Sequence, residues 1–207
     1  MRIRWVFDVI SPFAYLAFPR LQQLPAEPEF VPVLFAALLD HFGQRGPAEM
    51  PSKRRFTYRF VLWRARQLGL PLRLPPAHPF NPLAALRLII AAGSSTRAVG
   101  TVLDAVFRDG RDVSDAAVIA ELAGSLGVRD PARALADPAV KQQLRANTAW
   151  AVKQGIFGVP TLVLGEEFFW GQDAIDMALD YLRAPENFSD AAMRAVDTLP
   201  IGATRTT

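Results

Sequence analysis

The amino-acid sequence predicts an α/β domain interrupted by a large all-helical insertion. Three observations carry that expectation. Ile3 to Ile10 is an almost continuous apolar run followed at once by a helix start, Ser11-Pro12. Helical periodicity then fills the middle of the chain. Strand character returns only near the end, on either side of Gly165-Glu166-Glu167.

The opening run is rich in branched and aromatic residues, as a strand buried on both faces requires. Serine followed by proline suits an N-cap and the first helical position. A helix is expected to about Leu24, because Phe13, Leu16, Ala17, Arg20, Leu21 and Leu24 recur at helical spacing and Pro25 and Pro28 follow. Glu29 to Phe35 reads as a second strand. Lys53 to Leu68, Leu83 to Ala92, Thr96 to Phe107, Asp115 to Leu126 and Ala139 to Gln154 carry helical periodicity, most of them separated by Gly or Pro. Thr161 to Leu164 and Phe168 to Trp170 form a hairpin signal, and Gly171-Gln172-Asp173 opens a last helix through Leu182. This is the plan of a thioredoxin-like domain split by an insert. Residues 1–37 and 155–184 are expected to form that domain, 38–154 the helical insertion, and 185–207 an appended C-terminal tail.

The composition narrows the chemistry. Of 207 residues, 51% are hydrophobic and 21% charged, a globular balance. The chain has no cysteine, which excludes disulfides, thiolate metal sites, cysteine nucleophiles and dithiol exchange. The net charge of +3 comes without a basic tail or repeat, so no nucleic acid partner is expected. The N-terminus lacks a signal-peptide apolar core, and Leu83 to Ala92 is short and broken by Arg87, so no membrane span is expected and the cytoplasm is the default. His41 and His78 lack a metal-ligand or triad-like neighbourhood, and no metal site is expected.

Five features can carry function. Ser11 is either an ordinary N-cap or a hydroxyl held at a helix N-terminus to receive an anion. Val159-Pro160 is either a trans turn or a cis-proline that leaves the Val159 backbone open to an extended peptide ligand. Trp170-Gly171-Gln172-Asp173 is either a strand end and helix start or a polar pocket for an amino-acid moiety. Lys53 to Arg73 holds seven basic residues and no acid, with Phe56, Phe60, Trp63 and Gln67 on one helical face. It reads as core plus solvated face, or as a helix overhanging a cleft that draws in an aromatic carboxylate. Asn81 is a turn residue or a ligand contact.

These features resemble one family. Phe7-Asp8-Val9-Ile10-Ser11-Pro12-Phe13-Ala14-Tyr15-Leu16 is similar to the opening of the 2-hydroxychromene-2-carboxylate isomerases and the related kappa-class glutathione transferases. Gly155-Ile156-Phe157-Gly158-Val159-Pro160-Thr161 and Phe169-Trp170-Gly171-Gln172-Asp173 resemble them as well. The resemblance implies a disulfide-oxidoreductase-type thioredoxin fold with serine at the first redox cysteine, glutathione as cofactor, and a homodimer. It implies that Ser11 holds the glutathione sulfur and that Val159, with Pro160, pairs with the cysteinyl backbone. Trp170, Gln172 and Asp173 would hold the γ-glutamyl end, and Lys53 and Asn81 would face a small aromatic carboxylate substrate. Val61-Leu62-Trp63-Arg64 lacks the acid that the family places ahead of its Arg-Trp pair. The implied activity is glutathione-dependent isomerisation by reversible thiolate addition. The rival readings are a kappa-like transferase or peroxidase, and a non-catalytic thioredoxin-like binding or chaperone module.

Overall fold

The structure is a computed structural model that describes residues 1–203. Four strands form one mixed sheet in the order β2-β1-β3-β4. They are β1 (Ile3–Phe7), β2 (Glu29–Pro32), β3 (Thr161–Leu164) and β4 (Glu167–Trp170). β1 pairs parallel with β2 and antiparallel with β3, and β3 pairs antiparallel with β4. The two-residue turn between β3 and β4 places Gly165 at φ +66°, a conformation glycine adopts without a Cβ penalty.

Alternation along the strands builds a core on each face of the sheet. Trp5, Phe7, Leu162, Leu164 and Phe169 point to one side, where the Trp5 and Phe7 rings stack with centroids 4.6 Å apart. Val6, Val31 and Val163 point to the other, against Leu38, Ala151 and Ile156. Both faces are therefore covered, as the continuous apolar run in β1 required.

The helices that follow β1 and β2 are α1 (Pro12–Ala17), α2 (Phe35–His41), α3 (Pro51–Gln67), α4 (Leu83–Ala91) and α5 (Thr96–Leu103). Then come α6 (Ala116–Ser125), α7 (Pro131–Ala136), α8 (Pro138–Lys153), α9 (Ile175–Arg183) and α10 (Ala191–Asp197). Three boundaries differ from the sequence expectation for identifiable reasons. α1 stops at Ala17 and tightens into a 3-10 turn, Phe18–Gln23, because Pro19 has no N–H to give the Tyr15 carbonyl. β1 stops at Phe7 because Asp8 bends the chain, accepting the Ser11 amide on its carbonyl at 3.1 Å and the Ile10 amide on its side chain at 3.0 Å. β2 stops at Pro32, and Phe35 begins α2 rather than ending a strand; its amide donates to Asp8 Oδ2 at 2.9 Å. Short α7 was also not foreseen.

The residues after Pro185 are more than an appendage. A 3-10 turn, Pro185–Phe188, sets the Phe188 ring edge-on to Phe169 of β4 and Tyr181 of α9, at 6.2 and 5.4 Å. Past that turn, α10 has no buried residue. Phe188→Ala should therefore lower the unfolding free energy by about 2 kcal/mol, somewhat less than a fully buried Phe truncation. Truncation after Ser189 should cost well under half as much, with urea titration as the measurement.

Candidate functional site

The strand pairing assembles the site. Because β1 and β3 run antiparallel, the end of β1 and the start of β3 lie at one edge of the sheet, with Val6 opposite Thr161. The end of β4 joins them there, with Trp170 opposite Thr161. Ser11, Val159 and the Trp170-Gly171-Gln172-Asp173 segment are thus brought together from distant parts of the chain. α3 and the His78 to Pro82 turn close over them, leaving a cavity of about 770 Å³.

Ser11 occupies the N-cap position of α1, yet its side chain makes no capping hydrogen bond. Its hydroxyl donates instead to the Val159 carbonyl, at a long 3.3 Å, and the residue is buried. Val159-Pro160 is cis. The Val159 amide has no hydrogen-bond partner among the described residues, so it remains free to donate to a ligand. Gly158 is needed here: a Cβ added to it would run into the Trp170 indole, 3.0 Å from Cε2. That indole packs on Phe157 with centroids 5.0 Å apart and stays half exposed at the cavity edge. Gln172 is buried, and its side-chain oxygen accepts from Arg64 Nε at 3.4 Å. Asp173 is exposed at the rim.

Lys53 also lines the cavity, from the first turn of α3, with Thr57 and Phe60 after it at i+4 and i+7. Pro160 and Asn81 do not line it. Pro160 is buried behind Val159, and Asn81 is exposed, with its side-chain oxygen accepting the Leu83 amide at 3.1 Å. The aromatic stripe on α3 is not core: Phe56 and Trp63 are exposed, while Val61 and Ala65 are the residues that α3 buries.

Several lining residues escaped the sequence reading, among them Asp8, Arg45, Tyr58 and His78. Asp8 carried a signal, as the one acid inside an apolar strand run. His78 and Tyr58 carried none, because they meet across the fold. The Tyr58 hydroxyl lies 2.8 Å from His78 Nδ1, and His78 Nε2 lies 2.7 Å from the Ile10 carbonyl. Burial holds the His78 imidazole below its ordinary value; the Ile10 hydrogen bond opposes that shift and the nearby Arg54 charge adds to it.

A mixed four-stranded sheet, with a cleft between the first helix and a cis-proline turn before the third strand, defines a thioredoxin-fold protein. More narrowly, the DSBA-like thioredoxin domain model matches residues 2–183, and the chain belongs to that family. The resemblance to isomerases and kappa transferases holds over nearly the whole chain. Glutathione S-transferase kappa 2 of Caenorhabditis elegans is 26% identical over 208 residues, covering 88% of this chain and 92% of the relative. The 2-hydroxychromene-2-carboxylate isomerase of Pseudomonas putida is 29% identical over 186 residues, covering 86% and 92%. A solved structure of a 2-hydroxychromene-2-carboxylate isomerase shares the fold, with a TM-score of 0.76 at 23% identity over 92% of this chain and 100% of that one. No helix among the described residues is long and apolar enough to cross a membrane.

Asp8 makes one property of the site measurable. Burial pushes its carboxyl up to about 7, against the Ile10 and Phe35 amide bonds that pull it down. The folded chain therefore holds this proton more tightly than the unfolded chain does. The contribution to stability is fullest below the unfolded value near 4 and is lost as pH rises through about 7. Asp8→Asn should remove that slope, so its unfolding free energy should vary less than the wild type's between about pH 5 and pH 8. The level should also drop, since one amide loses a full acceptor, but the slope from urea titrations is the readout.

Proposed function

We propose that this protein is a glutathione-dependent isomerase of an unsaturated aromatic carboxylate, related in chemistry to the 2-hydroxychromene-2-carboxylate isomerases. One observation carries the reading: a buried serine hydroxyl, not spent as a helix cap, beside the free Val159 amide in a cysteine-free cavity. The residues fit a tripeptide thiol. The cavity is of ligand size, its floor offers backbone donor and acceptor groups, and its rim offers Gln172, Asp173 and the Trp170 face.

Glutathione, when bound, supplies a thiolate that adds to a conjugated double bond, lets the resulting single bond rotate, and leaves again. A free thiol of this kind has a pKa near 8.5, so only a few per cent is ionised at neutral pH. Ser11 raises that fraction by donating its hydroxyl hydrogen to the sulfur. Its present bond to Val159 is long and a hydroxyl rotates freely, so little is lost in turning it. Val159 pairs its backbone with the ligand's cysteinyl unit, with cis Pro160 setting the turn, and Trp170, Gln172 and Asp173 hold the γ-glutamyl end. Lys53 and Arg45 attract the substrate carboxylate, while Phe13, Phe60 and Phe80 line the apolar side. Asn81 keeps its side chain on the Leu83 amide and is given no substrate contact. A cytoplasmic homodimer is part of the same proposal and rests on the family resemblance.

Ser11→Ala should cut turnover about 10-fold or more, the scale of a lost hydrogen bond to a charged group. It should also lower the ultraviolet absorbance of bound thiolate, while stability changes little because no cap is lost. The reaction itself is tested with limiting glutathione and a panel of conjugated aromatic acids, following free thiol and product together. Many turnovers without thiol loss support the isomerase. One thiol lost per product makes the protein a transferase, the reading favoured by its kappa-class relative. No turnover across the panel leaves a non-catalytic module.

A further inference from the structure

The cavity wall carries a hydrogen-bonded chain that the proposed chemistry leaves unused, Tyr58, His78 and the Ile10 carbonyl, with Arg54 joining it from the exposed side of α3. Its proton positions follow from its partners. The Ile10 carbonyl can only accept, so the nitrogen 2.7 Å from it, His78 Nε2, must carry the hydrogen. Burial keeps the imidazole neutral, so Nδ1 is then a bare lone pair. Among the described residues the hydroxyl facing that lone pair is Tyr58, at 2.8 Å. The Tyr58 hydroxyl has a second acceptor in reach, the His78 carbonyl at 3.0 Å, but Arg54 Nη2 already donates to that carbonyl at 2.9 Å while Arg54 Nε donates to the Tyr58 oxygen at 3.2 Å. Nδ1 is the nearer acceptor, at 2.8 Å, and has no other donor among the described residues, so the tyrosine hydrogen goes to Nδ1. Every group in the chain then has a partner.

The ring itself is also clamped. Phe80 and Tyr58 meet it edge-on, with centroids at 5.7 and 5.4 Å. Phe107, from the π-helical turn Asp104–Arg108 after α5, lies behind it at 6.3 Å. A fixed ring in a fixed tautomer thus grips the carbonyl of Ile10. That carbonyl belongs to the peptide unit whose nitrogen is Ser11, so its orientation sets where the serine Cβ and hydroxyl point.

We propose that His78 is a positioning residue for Ser11, locked as its Nε2–H tautomer by Tyr58. The grip of His78 on the Ile10 carbonyl stands on the hydrogen-bond geometry, and its neutral tautomer on the burial of the ring as well. Its consequence for the glutathione sulfur rests on the functional reading above.

The test uses the full chain in two samples, one labelled with nitrogen-15 in histidine alone to read the tautomer and one labelled uniformly to read the Ser11 amide. In the histidine-labelled sample only His41 and His78 contribute signals, and His78→Gln assigns them. The expected result is an Nε2–H tautomer for His78 with a slowly exchanging proton. His78→Phe keeps the ring and removes the donor, whereas His78→Gln keeps a donor amide. His78→Phe should shift the Ser11 amide resonance and cut the preference for glutathione over S-methylglutathione about 10-fold, one hydrogen bond's worth of discrimination. His78→Gln should restore part of both. Tyr58→Phe, a milder change, covers the case in which His78→Phe does not fold. It should release the tautomer into exchange and shift Ser11 in the same direction. An Nδ1–H tautomer in the wild type, or a Ser11 resonance unmoved in the variants, overturns the proposal whatever the ligand does. A wild type with the expected tautomer and the expected Ser11 shifts, but no preference for glutathione, upholds the anchoring and removes the glutathione reading instead.

Discussion

Everything in this molecule depends on the pairing of β1 with β3. These strands come from opposite ends of the chain, and the partners Val6 and Thr161 enclose nearly all of the helices between them. Closing so long a loop costs conformational entropy, though the cost grows only slowly with loop length. The return comes from two apolar faces sealed at once, with Trp5 and Phe7 on one side and Val6 and Val163 on the other. The same pairing fixes the polarity of the site. An antiparallel ladder puts the exit of β1 beside the entrance of β3, so the Ser11 turn and the Val159 turn meet.

At that edge the chain leaves regular structure, and its backbone groups need other partners. Asp8 supplies several of them, holding the Ile10 and Phe35 amides on its carboxylate and the Ser11 amide on its carbonyl. His78 holds the Ile10 carbonyl from the other side. Ser11 is thus gripped through its backbone by residues before and across from it. Its hydroxyl has only one long bond, to Val159, which leaves it available to an incoming ligand. The two groups that grip it are titratable residues of opposite kind, Asp8 buried and His78 half-buried, and each is driven toward its neutral form by desolvation.

The motifs at the two ends of the sequence were legible because their physics is local. A strand run followed by Ser-Pro states a strand-to-helix turn, and two strand runs around Gly165 state a hairpin. The helices α3, α4, α6 and α8 were legible from their periodicity to within a few residues. The errors arose where a single residue competed with the pattern around it. Pro19 denied a hydrogen bond to α1, and Asp8 captured the Phe35 amide and so turned an expected strand end into the start of α2. Phe56 and Trp63 looked like core because their spacing is helical, yet periodicity names a face without saying what that face meets.

The sequence by itself determined the class of strand, helix and turn at both ends of the chain, the exclusion of cysteine chemistry, and the family likeness. It also marked Ser11, Val159 and the Trp170 to Asp173 segment as a set, since each belongs to a recognisable local motif. Tertiary structure alone decided that Lys53 faces the cavity while Asn81 does not, and that Phe188 packs back on the sheet. It alone also joined His78 to Tyr58 and to the Ile10 carbonyl. The physical reason is the nature of the partners. A motif is read from side chains spaced along one segment, whereas these contacts join segments far apart, and several end on backbone groups that every residue carries alike.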